Sequence, residues 1–464
     1  MSLLRFRISP RAAILILCEA AVILGCVYLA ALGRLGTFDV SDGSLGGGML
    51  FKALLITIVT QGCLYFADLY DFRVLRDRRE LFMRAVQALG GASLVLAAVY
   101  YWFPDLIVGR GVFVVAAVLI AVLLFGWRLI FEWTSRRVGP RERLLLVGTS
   151  EGAVNLAREL YQRSDLGVEI TGFIDPDPAR VGMPVLNPGV IGTIEDIPAI
   201  VRARAVDRVV VSLADARGKL PMDKLLDMKL DGVSFDHLAS VYEEYTGKIA
   251  VENLRPSWLI FSEGFRKSHL HMALKRATDA AGAAVGLLLA APVLLLVAIA
   301  IKLTSRGPVF YHQPRVGMRG RVFTVHKFRS MRPDAEQGTG AVWAARNDDR
   351  VTPIGRLLRK TRLDELPQLW NVLTGDMSLV GPRPERPEFV SSLSREIPFY
   401  GQRHVVRPGL TGWAQVRYTY TASVEGAMEK LQYDLFYIKN MSLSLDIFII
   451  AKTIKTVVMR QGAQ

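Results

Sequence analysis

Cysteine is scarce in this sequence. Cys18, Cys26 and Cys63 are the only three in 464 residues, and all lie in apolar runs. They read as small buried hydrophobes, which excludes a disulfide framework and a cysteine zinc site. Acidic residues are in deficit, 43 Asp+Glu against 57 Lys+Arg, for a formal charge of +14. That excess suits anionic lipid heads or phosphorylated substrates. Nucleic acid is the weaker option, and no nucleic-acid partner is expected. A Gly-rich Walker loop, an HExxH pair and a Ser-His-Asp signal are all missing, so the motif-borne forms of phosphate, zinc and acyl chemistry are not indicated. His312, His326 and His404 are scattered along the C-terminal half and read as structural or solvent-facing rather than as metal ligands.

Long apolar runs are what the chain has in abundance. Hydrophobic residues make up 51% and mean hydropathy is +0.29, too high for an ordinary soluble protein and pointing to a membrane protein with soluble parts. Four runs, near residues 12–33, 49–70, 81–103 and 108–131, are each long enough to span a bilayer as a helix. The first carries Glu19, lacks a small-residue cleavage site and is soon followed by another run, so it is not read as a cleavable signal peptide. Arg5, Arg7 and Arg11 precede the first run; Arg73, Arg76, Arg78 and Arg79 lie between the second and third; Arg136, Arg137, Arg141 and Arg143 follow the fourth. The positive-inside rule then places both ends of this unit in the cytoplasm.

Residues 140–265 read as a separate α/β domain after a transmembrane domain over 1–135. RLLLVG, VEITGFIDPD and DRVVVSLAD are strand candidates separated by helical or loop stretches, the alternation of a doubly wound parallel sheet. The first turn offers Gly148, Ser150, Gly152 and Ala153. A dinucleotide fingerprint wants glycines near 148, 150 and 153. Ser150 breaks it, so a structural strand-to-helix turn is favoured over a nucleotide pocket.

A fifth apolar run, 283–301, has Pro292 at its centre. Lys275 and Arg276 flank one side, and Lys302, Arg306, Arg315, Arg319 and Arg321 the other. Both flanks prefer the same face. Proline removes a helical hydrogen bond and permits a bend, and each half reaches only about 13 Å, short of a hydrocarbon core of about 30 Å. A re-entrant helical hairpin over about 277–302 is expected, with a kinked spanning helix as the alternative.

The chemistry concentrates in TRLDELPQLWNVLTGDMSLVGPRPERPEF, residues 361–389. Leu366, Leu369, Trp370 and Leu373 recur at helical spacing. Pro367 suits a first turn and Gly375 a stop, so Asp364 and Glu365 stand at the helix N-terminus. TPIGRLLRKTR reads as a short helix capped by Thr352, supplying Arg356, Arg359 and Lys360. Arg383 lies between two prolines, and Lys327, Arg329 and Arg332 end a strand upstream. An acid pair among cations has two readings. The acids simply favour the helix dipole, or one carboxylate attacks phosphorus while the other holds Mg²⁺.

From about Lys267 onward the chain closely resembles the bacterial sugar transferase family, the monotopic polyprenol-phosphate phosphoglycosyl transferases. The resemblance rests on KRATDAAGAAVGLLLAAPVLLL, GPVFYHQPRVG, FTVHKFRSMRPDAE, RLDELPQLWNVLTGDMSLVGPRP and RPGLTGWAQV. The preceding helices and α/β domain resemble the long form of the family, which includes undecaprenyl-phosphate glucose phosphotransferases of exopolysaccharide synthesis. The resemblance implies four transmembrane helices, a Rossmann-like domain and a catalytic domain over 267–464 with its re-entrant helix broken at Pro292. It implies transfer of a sugar 1-phosphate, glucose first, from a UDP-sugar to undecaprenyl phosphate with release of UMP. By that resemblance Asp364 is the nucleophile of a ping-pong reaction and Glu365 holds Mg²⁺. Arg383 contacts the nucleotide or its phosphates, with Lys327, Arg329, Arg359 and Gln368 as lesser phosphate-site residues. It further implies a multi-pass protein of the bacterial inner membrane with its active site on the cytoplasmic face. A homodimer and downstream glycosyltransferases are the expected protein partners. UDP-galactose or a UDP-N-acetylhexosamine as donor, or a scaffold for polysaccharide assembly, are the alternatives. The last segment, SLSLDIFIIAKTIKTVVMR, is apolar on one side with Lys452, Lys455 and Arg460, and reads either as an interfacial helix or as core packing.

Overall fold

The computed structural model describes residues 10–35, 44–67, 69–70, 78–108, 110–138, 142–163, 167–212, 222–251, 262, 264–333, 335, 349–418 and 423–458. Arg5, Arg7, Arg73, Arg76, Arg141 and Arg460 lie outside them. Two compact units divide the chain, Met1–Leu145 with Ala157–Gly172 and Asp196–Arg208, and the remainder.

The four N-terminal apolar runs form helices α1 (Pro10–Leu35), α2 (Ser44–Phe66), α3 (Arg78–Trp102) and α4 (Arg110–Val138). Each contains a stretch long and apolar enough to cross a membrane. Their buried faces are rich in alanine, with Ala30, Ala53, Ala85, Ala88 and Ala116 among Ile23, Leu96 and Ile120. Lipid is as apolar as leucine, so helix association in a bilayer relies on close approach, which small residues permit. Leu17, Ile58, Leu94 and Val122 face outward, and Tyr101 and Trp102 stand exposed at the end of α3, where amphipathic rings suit a membrane boundary.

Glu19, the acid inside the first run, meets a cation. Arg128 of α4 places Nε 2.7 Å from Glu19 Oε1, with both side chains fully buried. Arg128 Nη2 donates to Glu19 Oε2 at 3.1 Å and Nη1 donates to the Leu69 carbonyl at 2.9 Å. Tyr70 lies 5.5 Å from the guanidinium. Leaving one buried charge without its partner costs about 3–5 kcal/mol. Glu19→Leu is therefore expected to lower the melting temperature in detergent, and Glu19→Leu with Arg128→Leu to recover most of the loss.

The α/β segment matches its sequence reading. Strands β1 (Glu142–Val147), β2 (Val168–Ile174), β3 (Val190–Gly192), β4 (Arg208–Val211) and β5 (Ser234–His237) form one sheet in the order β3-β2-β1-β4-β5. β2 and β3 pair in parallel, Phe173 opposite Val190; an α-helix separates β1 from β2, β3 from β4 and β4 from β5, while only a 3-10 turn lies between β2 and β3. This is a Rossmann-like arrangement. Leu144 to Val147 are fully buried, as expected of a strand covered on both faces.

The C-terminal part is built on one long helix. His269–Thr304 starts from a Ser268 cap, whose hydroxyl accepts from the His271 N–H, and runs on through Pro292. No interruption of the helix marks the expected hairpin. Both halves instead pack on the same body. Ala283 and Leu287 meet Val325, Leu369 and Val372, while Val297 and Ile301 meet Phe328 and Leu358. Leu288, Leu289, Leu295 and Leu296 remain 63–75% exposed, side chains that suit an apolar surrounding.

β6 (Phe310–Val316) and β7 (Val322–Phe328) form an antiparallel hairpin with Tyr311 opposite Lys327. β8 (Ser378–Val380) and β9 (Gly409–Thr411) pair in parallel. Helix Val424–Asn440 receives the segment that follows β5. Lys439 Nζ and Asn440 Nδ2 donate to Glu243 at 2.6 and 2.8 Å, and Trp413 Nε1 donates to the Gly247 carbonyl at 2.7 Å.

Candidate active site

Helix Pro353–Thr361 begins as read, with the Thr352 hydroxyl accepting from the Gly355 N–H at 3.0 Å. It ends at Arg362, whose φ of +58° is left-handed. A non-glycine residue there costs about 1–3 kcal/mol and marks a place the surroundings enforce. The reversal feeds a single 3-10 turn, Leu363–Glu365, then Pro367 and helix Gln368–Thr374, which Gly375 stops at φ +98°. The acid pair thus occupies the corner between two helices. The amphipathic run predicted as one helix with Pro367 in its first turn begins one residue later.

Three cations from three elements converge on Glu365. Arg383 reaches both carboxylate oxygens, Nη2 closely and Nη1 at 3.4 Å from Oε2. Lys327 Nζ of β7 is 3.5 Å from Oε1 and Arg362 Nη1 3.9 Å from it. Burial alone would push the Glu365 carboxyl up, but Arg383 and Lys327 outweigh it and hold it well below the usual carboxylate range. Glu365 raises Arg383 in turn. Burial lowers Lys327, with Glu365 pulling the other way.

Asp364 is different. It is 8% exposed, and its Oδ1 finds no hydrogen-bond partner among the described residues. Burial, reinforced by the Glu365 charge, raises it to about 6 against the opposing Lys327, Arg359 and Arg383. Two adjacent carboxylates driven apart in this way are the usual mark of divided roles. One is a fixed anion, the other a poised group free to engage something else.

The remaining predicted residues are placed unevenly. Arg359 lies near Asp364 and donates through Nε to the Ser330 hydroxyl at 2.9 Å. Gln368 is 4% exposed with Nε2 unpartnered among the described residues. Arg329 faces the end of the long helix, donating to the carbonyls of Arg306 and Ser305 at 2.8 and 3.0 Å. Arg356 and Lys360 are exposed.

Sequence reasoning missed the residues that hold these groups. Asn371, fully buried, accepts from the His326 N–H at 3.0 Å and donates to the Thr324 carbonyl at 2.7 Å, pinning the helix after the acid pair to the strand that carries Lys327. Arg403 donates to the Arg383 carbonyl at 2.9 Å and to Asp434 at 2.8 Å. Arg315 donates to the Pro384 carbonyl at 3.0 Å. The one available signal was Asp434, an acid among apolar and aromatic neighbours in LQYDLFYIKN, since a buried acid requires a buried cation.

The Turn after β1 carries a lesser constellation. Gly148 has φ +107°, and a Cβ there would stand 3.3 Å from the Ser212 backbone. Thr149 Oγ1 donates to Asp175 at 2.5 Å, and Arg180 lies 3.3 Å from the same oxygen. The turn's polar groups are spent on one another.

Long apolar helices fit a membrane-associated protein, and its C-terminal part holds a buried acid pair beside a group of cations. The bacterial sugar transferase family profile matches residues 270–460, and that of a CoA-binding domain matches residues 65–220. The chain is 45% identical over 228 residues to the UDP-N-acetylgalactosamine-undecaprenyl-phosphate N-acetylgalactosaminephosphotransferase of Aeromonas hydrophila, covering 49% of this chain and 53% of that protein. It is 36% identical to the undecaprenyl-phosphate glucose phosphotransferase of Komagataeibacter xylinus over 69% of this chain and 60% of that one. With the UDP-glucose:undecaprenyl-phosphate glucose-1-phosphate transferase of Escherichia coli (strain K12) it shares 35% identity over 69% of this chain and 68% of that one. The chain belongs to the bacterial sugar transferase family. The matches span between half and two thirds of the length of the first two relatives.

Proposed function

We propose that the protein transfers a sugar 1-phosphate from a UDP-sugar to undecaprenyl phosphate at the cytoplasmic face of the bacterial inner membrane, as the first membrane step of a glycan such as an exopolysaccharide. The observation that carries this reading is Asp364, a buried carboxyl with an unpartnered oxygen beside an ion-paired Glu365. The relatives' names supply the substrates. In the first step Asp364 Oδ bonds to the sugar-bearing phosphorus, and the bond from that phosphorus to the bridging oxygen breaks. The electron pair leaves with UMP. In the second step an oxygen of undecaprenyl phosphate attacks the same phosphorus, the Asp364–phosphorus bond breaks, and the carboxylate is restored. Lys327, Arg359 and Arg383 supply the positive field that keeps the nucleophile ionised and steadies charge on the transferring group.

The donor set suits Mg²⁺ in one form only. No cluster of three or more metal-ligating side chains occurs among the described residues, so an all-protein cage is not available. Glu365 would hold the ion as a single carboxylate together with substrate phosphates, in competition with Arg383 for its oxygens. Bound there, Mg²⁺ would neutralise phosphate charge. The long helix is read as re-entrant because both its halves pack on one body and its middle is apolar and exposed. Glucose is the first donor to test, N-acetylgalactosamine the second, and a homodimer is the expected assembly.

The test is UMP release by purified protein in nanodiscs with undecaprenyl phosphate, Mg²⁺ and a panel of UDP-sugars. Lipid-dependent release with one donor is expected. Silence with every donor would move weight to a scaffold role.

A further inference from the structure

The two basic residues that open the long helix are turned into protein rather than toward headgroups. Lys275 Nζ lies 2.7 Å from Asp446 and 3.6 Å from Asp279, with little exposure. Arg276 points its fork at the C-terminal end of helix Gln368–Thr374. Nη1 donates to the Val372 carbonyl at 2.6 Å and Nη2 to the Leu373 carbonyl at 2.7 Å. Last-turn carbonyls have no partner within their helix, and a cation there complements the helix dipole. Gly375 makes room for the fork, since a Cβ on it would stand 3.3 Å from Arg276 Nη2. Arg407 Nε closes the other side, donating to the Gly375 carbonyl at 2.9 Å. The acid pair stands just before this helix, and Asn371 within it is fixed to β7. One side chain of the apolar helix therefore grips the far end of the helix that follows the turn carrying the reacting carboxylate.

We propose that Arg276 is a positioning residue that fixes the depth of Asp364 relative to the apolar helix, and so the reach of the lipid-borne acceptor phosphate to it. This rests on the reading of the reaction given above. The donor is water-soluble and meets Asp364 at any depth. The acceptor phosphate is confined to the headgroup layer, so an error in height falls on the acceptor alone. Lysine keeps the charge of Arg276 but lacks the planar fork that holds two carbonyls.

The experiment compares wild type with Arg276→Lys and Arg276→Gln in nanodiscs. It reads UMP released in one turnover without lipid, and steady-state KM and kcat/KM for undecaprenyl phosphate and for the UDP-sugar. Expected are a donor step within about twofold of wild type and a fall of at least about tenfold in kcat/KM for the acceptor in both variants, against the roughly hundredfold that a misplacement of about 1 Å can cost. Wild-type behaviour of Arg276→Lys would overturn the proposal, because charge and not the fork would then matter. Equal loss of both steps would also overturn it. If wild type itself releases no UMP without lipid, the covalent reading fails. The depth proposal is then decided by KM alone: a raised acceptor KM with unchanged donor KM upholds it, and any other pattern overturns it.

Discussion

Asp364→Asn is expected to abolish UMP release, with turnover lower by roughly three orders of magnitude or more, as when other nucleophiles are removed. Asparagine preserves the shape of the side chain and removes only its capacity to be an anion. The same carboxyl sets the pH profile. It sits at about 6, so the ionised form that attacks phosphorus predominates only above that pH. The donor step should fall to half near pH 6 and drop about tenfold per unit below it. Stability moves the other way. Because burial raises the carboxyl from its ordinary value of 3.8, the folded chain holds this proton more tightly than the unfolded chain. Stability is therefore lost as pH rises from about 4 through about 6, and above that range the fold carries a buried anion with an unpartnered oxygen. Asparagine relieves that burden. The variant should melt at or above the wild-type temperature at pH 8, which separates lost chemistry from lost folding. Near-wild-type turnover would exclude Asp364 as the nucleophile.

Elements with a strong local signal were legible in the sequence. The four N-terminal helices follow from run length, the Rossmann-like sheet from alternation, and helix Pro353–Thr361 from Thr352 and Pro353. The acid pair was legible as an anomaly, two adjacent carboxylates among cations. What periodicity did not reveal is the holding of that pair. Asn371 acts on strand backbone 45 residues or more away in sequence, and Arg403 on a carbonyl 20 residues away. Such contacts leave no local period. Charge counting also left the contacts of the counted residues unseen. Lys275 and Arg276 entered the topology argument as headgroup-facing flank, yet Lys275 pairs with Asp446 and Arg276 caps a helix. A positive flank therefore reports orientation only where its side chains remain free. The long helix shows a further limit. Pro292 signals a bend, but whether a bent helix spans or returns depends on what its two ends pack against, which composition does not encode.

Arg383→Lys is expected to lower turnover by about ten- to a hundredfold, because lysine offers one point charge where arginine grips both oxygens of a carboxylate. Arg383→Ala should lower it further. The fork is oriented from behind, by Arg403 on the Arg383 carbonyl and Arg315 on that of Pro384, so the effect belongs to the guanidinium and not to a collapsed loop. In a Glu365→Gln background the same Arg383 substitutions should cost much less, since the partner charge is already gone; a double-mutant cycle would read this as coupling. Purely additive losses would mean that Arg383 acts on substrate independently of Glu365. The dependence on Mg²⁺ separates the two roles further. With both Glu365 oxygens engaged by Arg383, and Lys327 and Arg362 within 4 Å of one of them, a divalent cation must compete for that carboxylate. Removing the guanidinium should therefore lower the Mg²⁺ concentration needed for half-maximal activity while the maximum itself falls. A rise in that concentration would mean instead that Arg383 helps to assemble the metal-bearing site.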